Sequence, residues 1–130
     1  MAKQHYVIVI ADDDPAINDL LRDILSEEGY QVHCCFTREE AARVIQRIVP
    51  DVAVIDMQME ARDAGLVLLQ SLRDSPQTMR LSVIICSADE ICLQQNSDQI
   101  TQLGAQILPK PFDVEHLLDT VKLLLAAAPD

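Results

Sequence analysis

Short, continuously apolar runs recur along the chain, and each is followed by a stretch whose apolar positions repeat every three or four residues. Tyr6-Val7-Ile8-Val9-Ile10 is β-branched and apolar on both faces, too short for a helix and suited to a central parallel strand. Asp14 then offers a cap and Pro15 fits a first helical position. Ile17, Leu20, Leu21, Ile24 and Leu25 make one stripe that Gly29 ends. Gln31 to Phe36 is a weaker strand. Thr37 and Glu40 form a capping box, opening a helix whose apolar side carries Ala41, Val44, Ile45 and Ile48.

Pro50 separates that helix from the run Val52-Ala53-Val54-Ile55, which leads through a long turn to Gly65. Beyond it Leu66, Leu69 and Leu72 mark a third helix ending near Asp74-Ser75-Pro76. Leu81 to Cys86 is a dense fourth strand. From Asp89 to Leu103 the stripe thins to Ile91, Leu93, Ile100 and Leu103 among glutamines, so this helix is expected to be the most exposed. Gly104 ends it and Ile107-Leu108 is a short fifth strand. Asp113 caps a last helix with Val114, Leu117, Leu118, Val121, Leu124 and Leu125 facing inward, and Ala126 to Asp130 reads as a fraying tail.

Five strands alternating with five helices predict an α/β fold, a doubly wound parallel sheet covered on both faces by right-handed crossovers. A chain of 130 residues with 49% hydrophobic composition fits one such domain. The net charge of -11, without a Lys/Arg cluster, argues against direct binding to nucleic acid or an anionic membrane surface. The apolar runs are too short to span a membrane and the first residues lack a cleavage-site pattern, so a cytoplasmic location is expected. Cys34, Cys35, Cys86 and Cys92 lack metal-site spacing and read as buried thiols. His33, Cys34 and Cys35 alternate faces along a strand and cannot converge on one ion.

The strand ends carry the chemistry. Asp12 and Asp13 close the first strand, Asp56 the third, Ser87 the fourth and Lys110 the fifth. One aspartate after a strand is ordinarily a turn or cap residue. In an open parallel sheet, however, strand carboxyl ends meet beside the point where strand order reverses. There, acids crowded around one ammonium favour a hard divalent cation.

These residues resemble the receiver domain of two-component response regulators. The likeness rests on Ile8 to Pro15, on Val52 to Asp56 with Met59 three beyond, on Ile84-Ile85-Cys86-Ser87-Ala88 and on Lys110-Pro111-Phe112, and it runs from Val7 to about Leu125. It implies a flavodoxin-like (βα)5 fold with strand order 2-1-3-4-5, as one receiver domain over 1–125 with a tail over 126–130. It further implies that Asp56 accepts a phosphoryl group from a histidine kinase or phosphotransfer protein. Asp12, Asp13, Asp56 and the backbone carbonyl of Gln58 would hold Mg2+. Ser87 would move to donate a hydrogen bond to the phosphoryl group, Lys110 would neutralise it, and Pro111 would follow a cis peptide bond. The face made by the fourth helix, fifth strand and fifth helix would meet a downstream protein, with a homodimer as a further option.

The chain also departs from the family pattern. Glu60 replaces the usual proline after Met59, the loop to Gly65 is one residue longer, and Ile107 stands where an aromatic usually swings inward. Glu60 is expected either to add charge near the metal or to point into water. Gln58 and Asp89, each two positions beyond a site residue, are expected to tune dephosphorylation. The alternatives are a pseudo-receiver serving as an unphosphorylated binding module and an aspartate-nucleophile phosphohydrolase. The latter needs a second carboxylate where Gln58 stands. A flavin-binding protein of the same topology is a more distant option.

Overall fold

In the computed structural model, which describes residues 5–127, the elements alternate strictly along the chain. They are β1 (Val7–Ala11), α1 (Pro15–Glu27), β2 (Gln31–Cys35), α2 (Arg38–Ile48), β3 (Val52–Asp56), α3 (Ala64–Asp74), β4 (Ser82–Ser87), α4 (Glu90–Gln102), β5 (Gln106–Pro109) and α5 (Val114–Ala127). The five strands form one parallel sheet in the order β2-β1-β3-β4-β5. Alternation along each strand divides the core into two layers. Val9, Ala11, Ala53, Ile55, Val83 and Ile85 face α2, α3 and α4. Ile8, Ile10, Val52, Val54, Ile84 and Cys86 face α1 and α5. Every residue of β3 is buried, since helices cover both faces and β1 and β4 flank it.

The start signals act as read. Asp14 accepts from the Ala16 amide ahead of Pro15, and Thr37 accepts from the Glu40 amide at 3.1 Å. Asp89 accepts from the Cys92 amide, and Asp113 from the Glu115 amide. Cys34 and Cys35 lie on opposite faces of β2: Cys35 is buried in one core layer, whereas Cys34, expected to be buried, is only half-buried against the other, on an edge strand.

Some expectations need correction. Leu20 and Val114, which the apolar pattern puts on the helix stripes, are 51% and 43% exposed. Each helix presents a narrower strip to the sheet than its apolar residues would cover. The buried positions of α1 are instead Asn18, Leu21 and Leu25, which share one face at three- and four-residue spacing. Gly65 lies inside the first turn of α3, not ahead of it. Helix α5 continues through Ala126 and Ala127, so the tail expected from 126 is helical there, and its remainder lies outside the described residues. Ile91, which the apolar pattern puts on the stripe of α4, is 64% exposed, and the helix buries Cys92, Leu93 and Ile100.

Candidate functional site

The carboxyl ends of β1, β3, β4 and β5 deliver the polar residues to one edge of the sheet. The order reverses between β1 and β3: the β1-to-β2 connection runs outward, whereas β2-to-β3 returns past β1. Asp12 follows β1 and Asp56 ends β3, so the two acids flank the crevice expected at such a reversal. Carboxylate oxygens of Asp12, Asp13 and Asp56 all lie within 4.8 Å of one another. Asp12 and Asp56 are buried while Asp13 is exposed, leaving the cluster open to solvent on one side.

Lys110 reaches in from the end of β5. Its ammonium donates to Asp12 Oδ2 at 2.6 Å and stands 3.5 Å from Asp56 Oδ2. The Lys110 amide donates to the Ser87 carbonyl, so β4 fixes the position from which the side chain extends, and the Lys110–Pro111 bond is cis. Burial lowers the ammonium's pKa, but the hydrogen bond to Asp12 and the charges of Asp56 and Asp12 outweigh that and leave it raised. Lys110 is therefore a permanent positive charge at neutral pH.

Burial pushes Asp56 up to about 6. Lys110 opposes the shift, Asp12 adds to it, and the Gln58 amide, donating to Asp56 Oδ1 at 3.2 Å, also holds it down. At neutral pH the carboxylate is still mostly ionised, hence able to act as a nucleophile without a base. The raised value records the cost of burying this carboxylate, which the Lys110 ammonium and the Gln58 amide offset only in part. An all-oxygen donor set of this kind suits a hard cation such as Mg2+ better than the nitrogen and sulfur ligands typical of zinc.

Ser87 lies at the end of β4, fully buried. Its hydroxyl donates to Gln58 Oε1 at 3.1 Å and accepts from the Asp89 amide at 3.0 Å. Gln58 Nε2 faces Asp89 Oδ2 at 3.4 Å, and Arg62 pairs with the same carboxylate oxygen at 3.6 Å. The Cys92 amide holds the Asp89 carboxyl below its usual range; burial opposes it, and Gln58 and Arg62 add smaller lowering effects.

The strand-end residues singled out from the sequence thus stand together, with Ser87 turned toward Gln58. Glu60 is exposed, as the solvent-facing expectation has it, but it is not idle there. Its carboxylate accepts the Arg38 amide through both oxygens, at 3.1 and 3.2 Å, and so caps α2 from the β3–α3 loop. Sequence inspection missed Asn18, whose side-chain amide donates to the Asp12 carbonyl at 2.6 Å from a buried position. Its Oδ1 is the buried side-chain polar atom without a partner among the described residues. The available signal was its spacing from Leu21 and Leu25, which puts a polar residue on the core face.

Comparison with known proteins gives the class. The family model for the response regulator receiver domain matches residues 8–122, and the chain belongs to that family. It is 33% identical over 121 residues to the "DNA-binding dual master transcriptional regulator RpaA" of Synechocystis, covering 91% of this chain and 48% of that protein. It is 28% identical over 118 residues to the "Sporulation initiation phosphotransferase F" of Bacillus subtilis, covering 91% and 92%. The chain spans about half the length of RpaA and of another relative it matches, the "Response regulator MprA" of Mycobacterium leprae, at 32% identity over 121 residues. Among solved structures, a Francisella response regulator 1452 receiver domain superposes with a TM-score of 0.82 at 31% identity, covering 93% of this chain and 97% of that one. The protein is a receiver domain of two-component phosphorelay signalling, with the flavodoxin-like fold.

Proposed function

We propose that the chain is a phosphorylation switch in which Asp56 accepts a phosphoryl group, in a Mg2+-dependent reaction, from a histidine kinase or phosphotransfer protein. The observation that carries this is the cluster of Asp12, Asp13 and Asp56 around the Lys110 ammonium. Asp12, Asp13, Asp56 and the Gln58 carbonyl would hold the metal. When bound, Mg2+ supplies positive charge to the equatorial phosphoryl oxygens. Asp56 attacks phosphorus through one carboxylate oxygen, with no proton of its own to remove, as the P–N bond to the donor histidine breaks and the departing imidazole takes a proton from solvent. Lys110, already ionised, stabilises the charge left on the phosphoaspartate. Asn18 and Asp12's own hydrogen bonds hold the acidic loop in place.

Ser87 would then donate to a phosphoryl oxygen, and the loop after β4 would shift with it. The output face would be α4, β5 and α5, meeting a protein target or a second copy of the chain, in the cytoplasm. Among the described residues no helix is long and apolar enough to cross a membrane. Turnover of external phosphate esters is disfavoured because Gln58, two positions beyond Asp56, is an amide and cannot shuttle a proton. The test is intact mass after incubation with acetyl phosphate and Mg2+. One hydroxylamine-labile phosphoryl group is expected, lost with EDTA and in Asp56→Asn. No adduct under these conditions would favour a pseudo-receiver.

A further inference from the structure

Ser87 has one hydroxyl proton, and the structure shows where it goes. Asp89 Oδ2 only accepts hydrogen bonds, so the Gln58 group facing it at 3.4 Å must be the amide nitrogen. Oε1 then faces Ser87, and the 3.1 Å contact uses the hydroxyl proton. The same Oγ accepts from the Asp89 amide at 3.0 Å. Ser87 cannot keep this arrangement and also donate to a group on Asp56.

Gln58 therefore competes with the phosphoryl group for one hydroxyl. It is also the middle of a chain of contacts between two loops. Ser87 holds Gln58, Gln58 holds Asp89, Arg62 of the β3–α3 loop pairs with Asp89, and Asp89 Oδ1 caps α4 through the Cys92 amide. Moving Ser87 removes an acceptor from the Asp89 amide and a donor from Gln58, next to the residue that fixes where α4 begins.

We infer that the Gln58 side chain is a latch that holds the Ser87 hydroxyl away from Asp56 in the unmodified protein, and that switching must break the Ser87–Gln58 contact and loosen the Asp89 cap of α4. This rests on the phosphoacceptor role proposed above and adds a positioning role for Gln58 separate from any effect on phosphoryl lifetime. The contact is a neutral hydrogen bond, so the bias it imposes is modest, about fivefold.

Two measurements test it. The first uses protein free of metal and phosphate: amide exchange at Asp89 should quicken severalfold in Gln58→Leu and in the slimmer Gln58→Met, because the Ser87 oxygen is no longer held beneath it. Exchange unchanged in both folded variants overturns the latch, whatever Asp56 does. The second uses beryllofluoride with Mg2+, a stable stand-in for the phosphoryl group. Gln58→Leu should bind it about fivefold more tightly than wild type, and the gain should vanish in a Ser87→Ala background. Equal or weaker binding, or the same gain without the Ser87 hydroxyl, overturns the latch. Failure of the wild type to bind at all overturns the phosphoacceptor role instead, and the switching role of Gln58 with it.

Discussion

Gly65 packs against the backbone of Asp56 so closely that a Cβ at Gly65 would overlap the Asp56 carbonyl oxygen and lie 2.7 Å from Met57 Cα. The Gly65 amide also donates to the Met57 carbonyl at 2.8 Å. The first turn of α3 is thereby pressed onto the end of β3, immediately behind the site aspartate. The obstructing atoms are main chain and cannot swing aside as a flexible side chain would. Gly65→Ala should destabilise the protein by about 1–3 kcal/mol in urea unfolding, the usual cost of overpacking. It should also slow modification of Asp56, because either α3 or the end of β3 must shift. An unchanged unfolding midpoint would contradict the close approach.

The elevated pKa of Asp56 carries a stability cost with a definite sign. In the folded state the carboxyl holds its proton up to about 6, whereas the unfolded chain releases it near 3.8. The folded protein therefore binds more protons between those values, and stability falls as pH rises through that window. Above it the ionised Asp56 costs on the order of 1–3 kcal/mol; below it the cost disappears. Metal-free Asp56→Asn should be more stable than wild type at pH 7 and lose that advantage near pH 3.5. Thermal unfolding at both pH values, with and without Mg2+, checks this. Mg2+ should raise the wild-type Tm more than that of Asp56→Asn.

Lys110 and a divalent cation would compete for the same carboxylates. Lys110→Met removes a positive charge 2.6 Å from Asp12 and 3.5 Å from Asp56, so Mg2+ should bind more tightly, by about three- to tenfold at low salt. The Asp56 pKa should rise above its value in the wild type. Calorimetric Mg2+ titration and a carboxyl NMR titration measure the two effects. Weaker Mg2+ binding in this variant would mean that the ammonium holds the acids in place rather than neutralising them.

Glu60 stands where the family usually has proline, and its carboxylate is spent on the first turn of α2. Glu60→Ala should lower stability by about 0.5–1 kcal/mol, as loss of an exposed helix cap does. Its Mg2+ affinity should stay within about twofold of wild type. A large change in metal binding would place the Glu60 charge in the acidic cluster after all.

The fold was legible because its signals are local and agree with one another. The β-branched runs of β1, β3 and β4, the Asp14-Pro15 and Thr37–Glu40 starts, and the glycines at 29 and 104 each mark an element independently of the others. Convergence of Asp12, Asp13, Asp56 and Lys110 followed from strand-end placement once parallel order was assumed. What stayed hidden depends on tertiary distances. Leu20 and Val114 look like core residues until the width of the contact with the sheet is known. Gly65 looks like a helix breaker, whereas it permits two backbones to touch. Nothing in the letter Gln58 says that its amide bridges Ser87 and Asp89, because that requires the relative heights of two loops. Asn18 was recoverable from its spacing, but its partner, a main-chain carbonyl, leaves no mark in the sequence.

The central claim is that Asp56 itself becomes the acyl phosphate. The most direct measurement is borohydride reduction of protein treated with acetyl phosphate and Mg2+, followed by peptide mass analysis, since reduction converts a phosphoaspartate to homoserine at the modified position. Homoserine should be found at residue 56 and at no other aspartate, and it should be absent when Mg2+ is chelated. Homoserine at Asp12 or Asp13, or none at residue 56 in folded protein with Mg2+ bound, would contradict the account.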